Sequence, residues 1–304
     1  MNLSRGRPAA GFLVIVAAAA WLPNFTGPYV LGVALSLLMW IALAESWVVL
    51  SGMTGYVSLG HAVFFGAGAY VMVLGWPELP LWLAIGLSGV AAGLLALVLG
   101  YPALRVRGPY FVILTFGLSE LVKFVVVNIE AALGKSGRLL FGTPDLAALY
   151  HVMLALAAAA VAIAYLVRRS RFGAGLRAIR ENEEAAETLG VAVGLWKLAA
   201  FALSAVVPGM VGAVMVLRST YFEPLQVFSP VTSFTIVTVA IIGGSDDAPG
   251  PLLGALGLVV LSELLWANAP QVYMILVGLL LIGFVLWLPE GLWGRLSATR
   301  RAGG

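Results

Sequence analysis

The stretch SRFGAGLRAIRENEEAAETLGVAVG, from Ser170 to Gly194, is the one long polar run in an otherwise apolar chain, and its contrast with its flanks decides the fold. Residues 148–167 before it and 195–217 after it are apolar enough, and long enough, to cross hydrocarbon; a crossing takes about 17–25 such residues. The same contrast holds throughout. Of 304 residues, 62% are hydrophobic and 10% charged, and mean hydropathy is +1.03. Soluble domains run near about 50% apolar and about 25% charged. A soluble fold of about 300 residues buries only about 75% of its surface, so the excess has nowhere to hide in water. A water-soluble enzyme and a disordered chain are both excluded.

Working outward, about ten apolar runs qualify as crossings: 9–23, 29–50, 56–76, 79–101, 110–128, 148–167, 195–217, 231–243, 251–268 and 271–289. The first follows Arg5 and Arg7 and ends in Ala18-Ala19-Ala20, which also fits a secretory signal. A first anchor is the better reading, because the next run follows within a few residues. With the N-terminus inside, the inner loops hold 13 of the 17 basic residues, including Arg105, Arg107, Arg168, Arg169, Arg171, Arg177, Arg180 and Lys197. Lys135, Arg138 and Arg218 fall outside. That bias predicts ten crossings with both termini cytoplasmic; eight would also keep it. The fold class is therefore an all-α polytopic membrane protein, one transmembrane domain over 1–304 with a cytoplasmic segment at 170–194. Each half carries a glycine-spaced run, Gly52, Gly55 and Gly60 in one and Gly243, Gly244, Gly250 and Gly254 in the other. This fits a 5+5 inverted repeat, and equally two unrelated sets of closely packed helices.

Within the polar stretch, Arg177 to Leu189 has no proline or glycine and predicts one helix. Leu176, Ile179, Ala186 and Leu189 fall near one face, opposite Arg180, Glu181, Glu184 and Glu187. Helices that lie on lipid are usually basic with bulky anchors. This one has four glutamates and no aromatic residue, so it predicts docking to a protein groove.

Glu184-Ala185-Ala186 followed by Gly190 matches the cytoplasmic signature of ABC importer permeases. Three further stretches narrow the match: SGMTGYVSLGHAVFFGAGAY (51–70), RGPYFVILTFGLSE (107–120), and YFEPLQVFSPVTSF followed by GGSDDAPGPLLGA (221–255). The chain resembles the LivM-type permease subunits of branched-chain amino acid ABC transporters. That resemblance implies a bacterial inner-membrane importer with four kinds of partner: a homologous second permease (as a heterodimer), two ABC ATPase subunits, an extracytoplasmic solute-binding protein, and membrane lipid. It implies no cofactor on this chain, ATP being used by the partners. It assigns ATPase coupling to Arg177, Arg180, Glu181, Glu184, Ala185, Ala186 and Gly190. Relatives with the same architecture move urea and short amides.

A polar solute crossing about 30 Å of hydrocarbon needs hydrogen-bonding groups along its path. The candidates are Ser58, His61, Tyr110, Thr115, Glu120, Ser233 and Thr235, in or beside apolar runs. Glu120 and Lys123 stand three apart and can pair. Glu45 and Glu263 are further intramembrane acids, and three such acids also fit a proton-coupled secondary transporter. A docking helix argues against that alternative. His61 among glycines reads as a packed histidine, and the glycines around it as a broken helix or close packing. There is no Walker A stretch, no cysteine and no metal-ligand cluster, so neither ATP hydrolysis nor other catalysis is expected of this chain. Arg105 and Arg107 read as topology determinants, not as a nucleic-acid surface.

Overall fold

The computed structural model describes residues 7–135, 137–244 and 249–268, with 278, 279 and 293 besides. Helices α1 (Arg7–Ala20), α2 (Pro28–Thr54), α3 (His61–Gly75), α4 (Leu81–Ala103) and α5 (Pro109–Ala132) come first. Strand β1 (Arg138–Leu139) and helix α6 (Leu146–Arg169) follow. The polar stretch forms α7 (Arg171–Glu181) and α8 (Glu183–Thr188). Then come α9 (Val193–Ser219), β2 (Tyr221–Phe222), α10 (Pro224–Val227), α11 (Pro230–Gly243) and α12 (Pro249–Asn268). Nine of the expected crossings overlie these helices, with ends shifted by a few residues. The expected crossing at 271–289 lies outside the described residues.

Among the described residues, six helical stretches are long and apolar enough to cross a bilayer: α2, α4, α5, α6, α9 and the run Pro224–Gly243. α3 is shorter, at 15 residues, or roughly 22 Å at 1.5 Å per residue. The cause is local. α2 runs on to Thr54 and stops where Gly55 turns left-handed, φ +77°, a conformation that glycine adopts without a Cβ clash. Residues 55–60 form no helix, and α3 begins at His61, inside the protein.

α9 is the centre of the bundle, and α3 and α4 pack along it. Leu35, Leu43, Leu50, Phe64, Met72, Phe111, Phe201 and Val211 are all buried in the continuous core around it. The approach of α3 to α9 is backbone to backbone. A Cβ on Gly68 would overlap the carbonyl of Gly209, and one on Gly212 the carbonyl of Phe65. The glycines around His61 therefore serve both expected purposes, a broken helix at Gly55 and close packing at Gly68. α11 and α12 meet as tightly, through Gly243, Gly250 and Gly254. One side of α4 (Val90, Leu94, Val98) and one side of α5 (Ile113, Leu121, Phe124) remain exposed and apolar, as lipid or a second hydrophobic subunit requires.

Candidate functional site

A buried helix start is expensive, because its first backbone N–H groups have no partners within the helix. At the start of α3 and in the link before it, such groups are met by hydroxyls, most of them from neighbouring helices. Ser233 Oγ of α11 accepts from Ala62 N at 2.8 Å, and Thr115 Oγ1 of α5 accepts from Leu59 N at 3.2 Å. Ser51 Oγ of α2 accepts from Ser58 N at 3.3 Å, and Ser58 Oγ accepts from Gly60 N at 3.2 Å. The Trp47 indole N–H donates to the Ser58 carbonyl at 2.8 Å. His61 joins this link to α9: Nδ1 lies 3.3 Å from Ser58 Oγ and Nε2 3.3 Å from Ser204 Oγ. Ser46 Oγ donates to the Ser204 carbonyl at 2.7 Å. Aromatic edges of Phe64 and Phe201 close around the imidazole.

The result is a seam of neutral hydrogen-bonding groups shared by α2, α3, α5, α9 and α11, with Ser58, His61, Ser204 and Ser233 each at most 1% exposed. Such a seam can exchange hydrogen bonds with a polar solute without holding it as tightly as a fixed charge would. It unites four of the expected path residues: Ser58, His61, Thr115 and Ser233. The other three lie elsewhere. Tyr110 is 74% exposed. Thr235 is half-buried and donates to the Val231 carbonyl of its own helix. Glu120 accepts from Lys123 on its own helix. Sequence reasoning missed Ser46, Trp47, Ser51 and Ser204. A lone serine in an apolar run carries no signal of whether it faces a neighbour. Glu263, without a partner in sequence, accepts from Tyr29 at 2.6 Å. Both carboxylate oxygens of the enclosed Glu45 have no hydrogen-bond partner among the described residues.

The second cluster lies where α7 and α8 cover the end of α2. The expected single helix over 177–189 is two helices, and the first begins six residues early, at Arg171. Asn182 breaks it by adopting an extended conformation, φ −160° and ψ 116°, and accepting from Ala185 N at 3.0 Å as the cap of α8. Asparagine is among the strongest helix N-caps, and here that local preference outweighs continuation. Leu176, Ile179 and Ala186 are buried, as the periodicity predicts. Leu189 is not: it is 81% exposed, because the chain leaves the helix there and turns at Gly190, φ +85°. Glu181, Glu184, Ala185 and Glu187 face out.

Glu183, absent from the expected coupling residues, is the centre of this cluster. Its carboxylate accepts from the Tyr56 hydroxyl and from Lys197 Nζ (3.1 Å) and pairs with Arg107 (2.9 Å). Lys197 also donates to the Tyr56 hydroxyl at 2.9 Å and sits 4.5 Å from its ring centre. Burial pushes the Glu183 carboxyl up, but Tyr56, Lys197 and Arg107 outweigh it and hold it below the usual carboxylate range. A cleft of about 850 Å³ opens beside the cluster, lined by the 54–57 link, the start of α5 and residues 179–184. Lys197 in an apolar helix was the one sequence signal for it.

At the other end of the bundle β1 pairs antiparallel with β2, Arg138 opposite Phe222. Arg138 makes two hydrogen bonds to Glu130, at 2.6 and 2.8 Å, and Tyr70 donates a third at 2.9 Å. No group of three His, Cys, Asp or Glu side chains able to hold a metal ion occurs among the described residues.

Residues 29–285, which include every residue of the seam and of the Glu183 cluster, match the family described as branched-chain amino acid transport system / permease component. The chain belongs to this family. The permease is 27% identical over 317 residues to the high-affinity branched-chain amino acid transport system permease protein LivM of Escherichia coli (strain K12), covering 92% of this chain and 74% of that protein. It is 26% identical over 313 residues to the protein of the same name from Salmonella typhimurium, covering 92% and 73%. No solved structure matches it. The permease is thus a multi-pass membrane transport protein and not an enzyme.

Proposed function

We propose that the permease forms half of the path through which an ATP-driven importer carries branched-chain amino acids across the bacterial inner membrane. The other half is a homologous second permease chain, and two ABC ATPase subunits and an extracytoplasmic solute-binding protein complete the assembly. This chain binds no cofactor, and its partners consume the ATP. It crosses ten times with both termini cytoplasmic.

The observation that carries this reading is the seating of α7–α8. Its apolar edge is buried on the bundle over the α2–α3 break, and its outer edge presents Glu181, Glu184, Glu187 and Leu189. An ATPase engaging that edge, through Arg177, Glu181, Glu184, Ala185 and Gly190, moves the element that lies against the seam. To reverse the preference between inward- and outward-open states, ATP must bias them by about 5 kcal/mol. The solute passes the hydroxyls of Ser58, Thr115 and Ser233 and the imidazole of His61, with Tyr110, Glu120 and Thr235 lining the approaches.

A 5+5 inverted repeat is part of the proposal. In its support, α2 and α9 are both 27 residues long. Each ends in a left-handed residue, Gly55 and Thr220 (φ +55°). α2 is followed by a non-helical link and the 15-residue α3, and α9 by β2, the four-residue α10 and the 14-residue α11. α3 and α4 pack on α9 as α11 and α12 pack on α2.

Purification through a tag on this chain is expected to recover an ATPase subunit. Glu184→Gln and Gly190→Val are expected to uncouple ATP hydrolysis from leucine uptake while the chain stays in the membrane. Normal coupling in both, or leucine accumulation by the purified chain alone, would refute the proposal.

A further inference from the structure

We propose that α7–α8 works as a clamp on the Gly55 hinge, with Arg180 holding the chain on one side of it and Glu183 on the other. Arg180 donates to the carbonyl of Gly52 at 2.7 Å, three residues before the hinge. Glu183 accepts from the hydroxyl of Tyr56, one residue after it. The hinge is left-handed, and a Cβ at Gly55 would lie 3.4 Å from the Arg180 side chain. Two residues beyond Tyr56 stands Ser58, which faces His61 in the seam. Two residues separate Arg180 from Glu183, and one of them, Asn182, breaks the helix. The two grips therefore belong to different helices, and a change of angle between α7 and α8 turns the link rather than dragging it whole.

Lys197 and Arg107 make the second grip more than a single hydrogen bond. They bring α9 and the α4–α5 link to the same carboxylate. The Lys197 side chain is 5% exposed, and a buried cation is stable only while its counter-charge stays. Glu183 and Arg180 are thus positioning residues: they touch no solute, and they set the angle at which Ser58 and His61 meet it. The transport meaning of the clamp rests on the importer reading above; its existence does not.

The chain has no cysteine, so a single reporter can be read without background. Val57 lies in the link, lines the cleft and is 37% exposed. The experiment measures the labelling rate of Val57→Cys by a small water-soluble thiol reagent, in the purified transporter complex in nanodiscs. Without nucleotide, adding Glu183→Gln or Arg180→Met is expected to raise the rate about tenfold, which is about 1.4 kcal/mol of lost closure. Tyr56→Phe, which removes one hydroxyl, gives a smaller rise and serves if the charge variants do not fold. Glu78→Gln, on a distant turn, gives none. Combining Tyr56→Phe with Glu183→Gln adds little beyond the larger single effect. Rates within twofold of the parent in all clamp variants would overturn the clamp. Addition of Mg-ATP is expected to change the parent rate and not that of Glu183→Gln. A parent rate indifferent to ATP, with the nucleotide-free differences intact, would refute the importer reading while leaving the clamp standing.

Discussion

Phe228 presses its ring into the notch left by Gly66, so closely that a Cβ at 66 would overlap the ring carbons. Phe228 is 1% exposed and stands between α10 and α11, the second interrupted helix of the bundle. One break, at α10–α11, is thereby seated on the short helix that follows the other, at α2–α3. Ser233, five residues on, then reaches the start of α3. Gly66→Val is expected to dislodge Phe228 and to abolish uptake while ATPase subunits still copurify. Uptake above half of the parent value would show that the two breaks act independently.

Where backbone meets backbone there is no side chain to give way. Gly68→Ala is expected to destabilise the permease by about 1–3 kcal/mol or more, since α3 must back away from α9. Gly117→Ala, in a helix with nothing within 4 Å of the new methyl, is expected to be neutral or to stabilise by about 0.5–1 kcal/mol. Thermal unfolding of the detergent-solubilised chain distinguishes the two.

Ser233→Ala leaves the N–H of Ala62 without its acceptor in a site closed to water. The expected cost is about 1–3 kcal/mol, with uptake reduced in parallel, whereas Ser233→Thr keeps the oxygen and most of both. Unfolding temperature and uptake measured on the same preparations test this. An Ala variant as stable as the parent would mean that another group serves the α3 start.

The Glu183 carboxyl titrates lower in the folded protein than in the unfolded chain. Its contribution is therefore fully present above the ordinary carboxylate range and is lost as pH falls through the depressed folded-state value. The stability gap between parent and Glu183→Gln is expected to be constant near neutral pH and to shrink in acid. Unfolding measured across pH for both proteins checks the sign. A gap that widens in acid would show that the group is not held ionised by Tyr56, Lys197 and Arg107.

Glu45 is enclosed and its carboxylate oxygens make no hydrogen bond among the described residues. An amide of the same shape fills that space equally well, so Glu45→Gln is expected to retain leucine uptake within about twofold, a change under about 0.5 kcal/mol. A proton-coupled carrier using this acid would lose transport altogether, so uptake by this one variant separates the two mechanisms.

Much of the site was legible as residue types and little of it as partners. Ser58, His61, Thr115 and Ser233 stand out because hydroxyls and imidazole are rare within apolar runs, and the structure brings all four together. Tyr110, Glu120 and Thr235 carry the same signal and lie apart, because composition does not report which way a helix is turned. The Glu184-Ala185-Ala186 signature points to Glu184 and not to its neighbour Glu183. A regular helix across 177–189 gives no reason to single it out, and the cap at Asn182 is what rotates it inward.

By itself the sequence determined the solvent of this protein, the order and extent of its apolar helices, and the polar segment set between two of them. These follow from local hydrophobicity, which acts on each stretch whatever its neighbours do. Only the tertiary structure decided that α3 starts inside the bundle, that hydroxyls from α2, α5 and α11 complete it, and that one carboxylate gathers four elements around the Gly55 hinge. Most of those features depend on which faces meet across 56 to 171 residues of chain, and buried polar groups are satisfied by neighbours in space rather than in sequence.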